Sequence, residues 1–301
     1  MVIRMIEIRF AEEKDIFALK EIWKLCFQDK DEYIDFFFVH QYEKGKTLVL
    51  CYDGEVATML TMISVELVLP YGQRISSTML YAIATHPRYQ GKRFSTQLMD
   101  YAKKYIWDHK EGMTILVPGS ESLFSFYKKR GYQTSFYLKE SILTWGEMKE
   151  WSMQSKNVSN CVMTVATAKD YNQLRNQLLK ERLYVKYENK EIEYQKNLCK
   201  QSGADIYYMD LRDVQGCAAI ERISPEKVII KELLLPEDLV IEGMIQIVNR
   251  FPAKEYIVRL PADIGIPFKG TKKAFGMSHI PEGINLDMTS ESLGYLGFAY
   301  D

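Results

Sequence analysis

Apolar and polar residues follow two different periods along the first half of the chain. Stretches in which apolar residues alternate with polar ones or run without interruption predict strands, and apolar residues three to four apart predict helices. The predicted strands are Ile6–Phe10, Thr47–Tyr52, Glu55–Leu69, Ile75–Thr85, Thr114–Val117 and Tyr132–Leu143. The predicted helices are Glu12–Phe27, Asp31–Tyr42, a segment that begins after Arg93 and ends before Gly112, and Glu121–Arg130. The order is therefore strand, two helices, a three-strand meander, helix, strand, helix, strand.

The same order of elements returns in the second half, although the residues themselves do not repeat. The predicted strands there are Val162–Val165, Ile206–Leu211, Gly216–Arg222, Lys227–Leu235 and Tyr256–Leu260, and the predicted helices are Lys169–Arg182, Lys190–Gln201 and Leu239–Asn249. Phe275–Ile280 and Leu293–Tyr300 are expected to add strands that complete the second sheet. The polar segment 144–160 is predicted to be a linker. The pattern thus predicts a mixed α/β sheet fold in two tandem domains, residues 1–143 and 161–301.

Composition narrows the class of protein. Of the 301 residues 47% are hydrophobic and 26% are charged, which is ordinary for a globular protein with two cores. The 39 basic and 40 acidic side chains leave a net charge of −1, so the basic excess of a nucleic-acid binder is absent. No apolar run is long enough to span a bilayer and no signal-peptide pattern is present, so we expect a cytoplasmic protein with no membrane partner. The five cysteines and four histidines have no metal-ligand spacing, and no metal is expected.

One stretch, LYAIATHPRYQGKRFS at residues 80–95, has the residues of an anion site. A strand leads through a basic turn into a helix, whose first backbone N–H groups are available to hold a pyrophosphate. Gly91 lets the backbone approach the phosphates, and Arg88, Lys92 and Arg93 supply positive charge. Strand, basic turn and helix are a common combination, so this stretch alone also fits an ordinary loop with solvated cations.

A second motif follows at a suitable distance: the strand ILVPGS and the helix ESLFSFYKKRGY, in which Phe126-Tyr127 precede Gly131. Together the two segments resemble the GNAT superfamily of N-acetyltransferases. Its signature is a [QR]-x-x-G-x-[GA] loop, here Arg88 to Arg93, followed by F-Y-x-x-x-G-[FY], here Phe126 to Tyr132. The resemblance covers roughly residues 3 to 140. It implies the GNAT fold and acetyl-CoA as co-substrate.

The resemblance also implies where the cofactor is held. Backbone groups of Ile83, Ala84 and Thr85 would bind the pantetheine arm, and Ser120 falls where family members often place a polar residue near the thioester. The pyrophosphate would lie on the amides of Gln90, Gly91, Lys92, Arg93, Phe94 and Ser95. Arg93 departs from the family pattern, which has a small residue there. Its side chain either crowds the phosphates or turns outward to pair with the ribose phosphate. Ser120 also fits a plain helix N-cap.

Tyr127 is the predicted catalytic acid. A phenol with an ordinary pKa near 10 is protonated at neutral pH and can donate to the departing CoA sulfur, the role commonly assigned to this tyrosine in the family. The base is left open among Glu32, Asp35, His40 and the last residue, Asp301. Asp301 enters because the tandem layout resembles the enhanced-intracellular-survival (Eis) family, in which the terminal carboxylate reaches the active site. The sterol-carrier-like third domain of that family has no counterpart in these residues.

The second half carries no such loop, since Pro236-Glu237-Asp238 follows its corresponding strand. Two carboxylates at a helix start repel a pyrophosphate, so this half is expected to be a degenerate GNAT-like domain that binds no CoA. The expected partner is a small-molecule or peptide amine of unknown identity, and a homo-oligomer is possible. Two other readings stay open. A non-catalytic acyl-CoA sensor or scaffold is favoured by Arg93. Aminoacyl transfer from tRNA is disfavoured by the near-neutral charge.

Overall fold

The computed structural model describes residues 5–70, 72–109, 112–154, 162–265, 268–281 and 293–298. These residues divide into two units. The first contains the described residues within 5–66, 75–133 and 277–281, and the second those within 67–74, 134–276 and 293–298. No helix in the described part is both long and apolar enough to cross a membrane.

The first unit has the element order that the sequence predicts. Its strands are Ile6–Phe10 (β1), Thr47–Tyr52 (β2), Glu55–Val68 (β3), Arg74–Thr85 (β4) and Met113–Leu116 (β5), and its helices are Ile16–Phe27 (α1), Asp31–His40 (α2), Phe94–Asp108 (α3) and Glu121–Lys128 (α4). The strands lie side by side in the order β1-β2-β3-β4-β5. Asp53 and Gly54 both have positive φ, the backbone shape that a tight hairpin between β2 and β3 requires.

The main part of the second unit begins at residue 134, within the strand that follows α4. Its strands are Gln133–Thr144 (β6), Val162–Val165 (β7), Tyr184–Lys186 (β8), Ile206–Leu211 (β9), Val214–Ser224 (β10), Lys227–Leu234 (β11), Glu255–Pro261 (β12) and Thr271–His279 (β13), and its helices are Trp145–Gln154 (α5), Ala168–Leu178 (α6), Asn189–Gln201 (α7) and Val240–Arg250 (α8). Only the last three residues of β13 belong to the first unit.

The two units have the same sheet topology, and each takes its sixth strand from the other half of the sequence. In the second unit β7, β9, β10 and β11 are antiparallel neighbours, β12 is parallel to β11, and β6 is antiparallel to β12. In the first unit β5 is parallel to β4, and residues 277–279 of β13 are antiparallel to β5. The fold is thus a tandem duplication with exchanged final strands.

One expectation from the sequence is wrong here, and another holds only in part. Residues 145–154 of the predicted linker form helix α5, because Met148 and Trp151, three apart, share one face that packs into the core of the second unit. The predicted strand Phe275–Ile280 is only partly right: β13 lies beside β6 in the sheet of the second unit, whereas residues 277–279 pair with β5 of the first unit. Of Leu293–Tyr300 the described part, 293–298, makes two isolated bridges, at Gly294 and Tyr295.

A buried ion pair holds the segment 293–298 within the second unit. Arg175 and Glu232 are both inaccessible to solvent, and the guanidinium Nε lies 3.0 Å from the carboxylate. Arg175 also donates to the carbonyl oxygens of Val185 at 3.0 Å and Leu296 at 3.3 Å. Because all its partners are protein atoms, this arginine is a structural centre of the unit.

Candidate functional site

The strands β4 and β5 separate after three residue pairs. Ser77, Thr78 and Met79 pair in parallel with Met113, Thr114 and Ile115, and the described residues form no register pair beyond these. β4 nevertheless continues for six residues, Leu80 to Thr85, and Ala82 within it has a left-handed φ of 49°. A non-glycine residue with positive φ inside a strand is a local distortion that costs about 1–3 kcal/mol. The result is a fork with one open edge on β4.

In an extended strand the backbone N–H and C=O groups of successive residues point alternately to its two edges, and this decides which residues of β4 face the fork. The N–H of His86 donates to the carbonyl oxygen of Ala57 on β3 at 2.9 Å, so His86 and Ala84 face β3. Ile83 and Thr85 then face the open edge. The Thr85 carbonyl already accepts from Gln90 Nε2 at 3.2 Å. Of the three residues predicted to hold the pantetheine arm, Ile83 is the one whose backbone groups are best placed, and Ala84 is directed away.

The loop after β4 ends in a helix start without a side-chain cap. Gly91 has φ of 80° and Arg93 has φ of 63°, so the chain passes through two left-handed residues before α3 begins at Phe94. Apart from its two chain neighbours, no described residue lies within 4 Å of a Cβ built on Gly91, so its backbone conformation, not lack of space, requires glycine. Arg93 occupies the N-cap position with no side-chain hydrogen bond, and the first turn of α3 has no acidic residue. Such an end attracts an anion.

Glu55 braces this loop from the start of β3. It accepts a hydrogen bond from the Tyr89 hydroxyl and lies 3.9 Å from the Arg88 guanidinium. The hydrogen bond to Glu55 raises the pKa of Tyr89. The Lys92 ammonium lies over the Tyr52 ring, 4.5 Å from its centre. Arg88 and Lys92 are thus engaged with protein groups, whereas Arg93 is exposed and its side chain makes no capping bond to the described residues.

Arg130 joins the two motifs, a role that the sequence did not reveal. Its Nε and Nη2 donate to the hydroxyl of Thr96, in the first turn of α3, at 3.0 and 2.6 Å. Its Nη1 donates to the carbonyl of Phe126 at 2.7 Å, and the guanidinium lies 3.4 Å from the centre of the Phe126 ring. Burial lowers the pKa of Arg130, but an arginine remains charged. A positive charge is therefore fixed beside the start of α3.

Tyr127 is buried, with 7% of its surface exposed, in the same core cluster as Leu80 and Leu116 at the two sides of the fork. Burial raises the pKa of its phenol to about 12. The described residues supply no hydrogen bond to its hydroxyl, whereas the neighbouring Tyr132 donates to or accepts from Thr114 at 2.8 Å. A protonated phenol without a protein partner is available to a ligand.

The remaining predicted residues are less informative. Ser120 stands at the N-cap position of α4, as predicted, but its hydroxyl contacts Ser122 Oγ at 3.0 Å and forms no capping bond with the backbone. Glu32 and His40 are exposed, and Asp35 binds Lys20 at 2.7 Å. Asp301 lies outside the described residues. None of the base candidates is brought to the fork by a contact that the structure describes.

An aromatic cluster on α1 and α2 lies beside β4. Trp23 and Phe37 are fully buried, and Tyr33 on α2 contacts Tyr81 of β4, hydroxyl to hydroxyl, at 3.2 Å. The Trp23 indole donates to Asp29 at 2.8 Å. Among the aromatic residues of α1 and α2, Trp23 and Phe37 are core, and Tyr33, Phe36 and Phe38 are half-buried.

Residues 7–135 match the family model of an acetyltransferase (GNAT) domain. No curated protein sequence matches the chain. A GCN5-related N-acetyltransferase from Anabaena variabilis ATCC 29413 is similar over 96% of this chain and 81% of its own, with 15% identity and a TM-score of 0.73.

Two further solved structures are similar over most of the chain. A probable N-acyltransferase of unknown function from Enterococcus faecalis V583 covers 92% of this chain and 73% of its own, with 13% identity and a TM-score of 0.68. Eis1 from Mycobacterium abscessus covers 91% and 73%, with 11% identity and a TM-score of 0.65. At such identities these likenesses establish the fold of the whole chain.

Proposed function

Since residues 7–135 of this chain are a GNAT acetyltransferase domain, we propose that the protein transfers an acetyl group from acetyl-CoA to the primary amine of an acceptor. The observation that carries the proposal is the fork: β4 leaves β5 after Met79 and ends at a loop and helix start that suit a pyrophosphate. An extended arm with amide groups can hydrogen-bond to an open strand edge as an added strand does. The pantetheine arm of CoA has that chemistry, and Ile83 has the open backbone groups.

The charges around the loop support the same ligand. Uncapped amides at the start of α3, the fixed guanidinium of Arg130 and the exposed Arg93 all favour an anion. Arg93 has a left-handed φ of 63°, a backbone shape that glycine adopts most readily, and its exposed side chain extends from the loop. We propose that Arg93 pairs with the ribose phosphate.

Tyr127 would assist departure of the sulfur. The amine nitrogen attacks the thioester carbon, the C–N bond forms, and the C–S bond of the tetrahedral intermediate then breaks. Full proton transfer from a phenol of pKa about 12 to a thiolate of ordinary pKa near 8.5 would cost about 5 kcal/mol. A hydrogen bond from Tyr127 to the developing thiolate is therefore the contribution that we propose. The attacking ammonium loses two protons in all: one finally resides on the CoA thiol, and the other passes to solvent.

The second candidate is a non-catalytic acyl-CoA sensor or scaffold, favoured by the absence of a described base beside the fork. The test is release of CoA thiol, measured with a thiol reagent, over polyamines, aminoglycosides and peptide amines. Release that requires both acetyl-CoA and an amine supports the transferase. CoA binding without release on any amine supports the sensor, and failure to bind CoA contradicts both.

A further inference from the structure

The far end of the sequence enters the core around Tyr127. Residues Met277, Ser278 and His279 pair antiparallel with Leu116, Ile115 and Thr114 of β5. Met277 is 1% exposed and belongs to the same hydrophobic cluster as Tyr127 and Tyr132, and Ser278 is fully buried. The first 135 residues therefore do not enclose the tyrosine by themselves.

His279 contacts the turn that ends α4. Gly131 in this turn has φ of 84°, and a Cβ built on it would lie 3.0 Å from Cδ2 of the His279 ring. The Tyr132 N–H donates to the carbonyl of Tyr127 at 3.2 Å, so the turn closes directly on the tyrosine. The imidazole thus covers the face of the turn where any side chain other than glycine would stand.

The same ring reaches Tyr127 through one further aromatic residue. The centres of the His279 and Tyr132 rings are 5.5 Å apart, and those of Tyr132 and Tyr127 are 5.9 Å apart, edge to face. The Tyr132 hydroxyl is bound to Thr114, which is itself the register partner of His279. Tyr132 is therefore held from both sides, and its ring limits the positions open to the phenol of Tyr127.

We propose that His279, contributed by a strand some 150 residues downstream of the motif, is a positioning residue that holds Tyr127 in line with the departing sulfur. The proposal rests on the proposed acetyl transfer. Its physical basis is ring packing against Gly131 and Tyr132, with no proton transfer by the imidazole. The far half of the chain thereby takes part in the site of the first domain.

The experiment compares steady-state acetyl transfer by full-length His279→Ala, His279→Phe and wild type. His279→Ala is expected to lower kcat about 10- to 100-fold, the effect of a displacement of roughly 1 Å. KM for acetyl-CoA should stay within twofold, because the described contacts of the ring are with Gly131 and Tyr132 and none is with the loop residues 88–93. His279→Phe, which restores a ring, should recover kcat to within about threefold. His109→Ala, which removes an exposed ring stacked on Tyr105, is the matched control and should keep full activity.

The decisive arm repeats His279→Ala in a Tyr127→Phe background. If the histidine acts through the Tyr127 hydroxyl, the second substitution lowers kcat no further. The proposal would be overturned if His279→Ala lowered kcat by the same factor in the wild-type and Tyr127→Phe backgrounds. It would also be overturned if His279→Phe lowered kcat as much as His279→Ala does. Thermal unfolding of each variant separates loss of folded protein from loss of rate.

A spectroscopic arm does not need turnover, so it separates this proposal from the proposed function. In protein labelled with 13C at tyrosine Cζ, the Tyr127 resonance is the one missing in Tyr127→Phe. It is expected to shift in His279→Ala, return in His279→Phe and stay unchanged in His109→Ala. An unchanged Tyr127 resonance in His279→Ala refutes positioning, whatever the enzyme assay gives.

Discussion

Replacing Tyr127 by phenylalanine is expected to lower kcat while leaving the fold intact. The described residues give its hydroxyl no hydrogen bond, so its removal should change the free energy of unfolding at pH 7 by no more than about 0.5 kcal/mol. The catalytic loss follows from one hydrogen bond to a developing negative charge. Such a bond is worth about 1.5–3 kcal/mol, which corresponds to roughly 10- to 150-fold in rate.

Tyr132→Phe is the matched control, because it removes a hydroxyl that does have a partner. Its oxygen lies 2.8 Å from the buried Thr114 hydroxyl. Losing this bond leaves a buried group unpaired and should cost about 1–3 kcal/mol of stability, with kcat largely retained. The two variants are therefore expected to show opposite patterns. Tyr127→Phe should lower kcat and keep the stability, and Tyr132→Phe should lower the stability and keep kcat.

The pH dependence of stability gives a second signature of Tyr127. Its pKa is raised from 10 in the unfolded chain to about 12 in the folded protein. Below pH 10 both states are protonated, and the contribution to stability is fully present. As pH rises through 10 to 12 the unfolded phenol ionises first, so stability falls by up to about 3 kcal/mol. Tyr127→Phe should lack this alkaline loss.

Thiol release with saturating acetyl-CoA and amine measures kcat, and urea unfolding at pH 7 and pH 11 measures stability. Tyr127→Phe that acetylates every accepted amine as fast as wild type would refute the proposed role. A Tyr127→Phe variant destabilised by 2 kcal/mol at pH 7 would show that the hydroxyl has a structural partner. Either result would require a different donor to the sulfur.

Three other changes test separate parts of the account. Arg93→Gly should change the free energy of unfolding by no more than about 1 kcal/mol, because relief of left-handed strain offsets the added chain entropy. The same variant should weaken CoA binding about fivefold at low salt. Titration calorimetry at two ionic strengths measures this, and an unaltered affinity would contradict the phosphate contact. Asp15→Asn should destabilise the protein by about 1–3 kcal/mol at pH 7, since Asp15 accepts a hydrogen bond from Arg9 at 2.6 Å. This bond lowers the pKa of Asp15, so the wild type, but not the variant, should lose that stability as pH falls through 4 and below. Acid unfolding curves of the two proteins that superimpose would refute this prediction. Glu232→Gln should cost about 3–5 kcal/mol by leaving Arg175 buried without a counter-ion, measured by urea unfolding, and a cost below 1 kcal/mol would contradict the structural role of the pair.

Local patterns were sufficient to predict the elements, because each strand and helix carries its own period. The strands β1 and β2 begin and end where predicted. The bounds of helices α1, α2 and α8 differ from the predicted ones by about one turn at most. Residues 145–154 were misjudged because their apolar positions are few and separated by charges. The short strand β8 was missed, since three residues are too few to show a period.

The exchange of strands could not be predicted, because a strand pattern specifies its faces and not its neighbour. β6 is long enough to complete the first sheet, yet it pairs with β12, and residues 277–279 take the place beside β5. The apolar pattern sets which face of a strand is buried, and only the assembled fold decides which edge the strand meets.

The candidate site was predicted in outline from two motifs and a resemblance. The structure brings the loop residues to the end of a fork and leaves Tyr127 in the core beside it. Glu55 and Arg130 were not identified, because their roles depend on contacts with residues 34 positions away in each case, Tyr89 and Thr96. His279 lies further still along the chain, and no local pattern distinguishes it from a strand residue.

The central claim is that the loop at the end of β4 binds acetyl-CoA, and calorimetric titration of acetyl-CoA tests it most directly. The comparison is between wild type, Gly91→Glu and Gly45→Glu. Gly45 is the matched control, because both glycines have φ near 80° and, apart from chain neighbours, no described atom within 4 Å of a built Cβ, so both variants carry the same backbone strain. Binding by wild type and Gly45→Glu that Gly91→Glu abolishes is the predicted result. No binding by wild type, or equal binding by all three, would contradict the account.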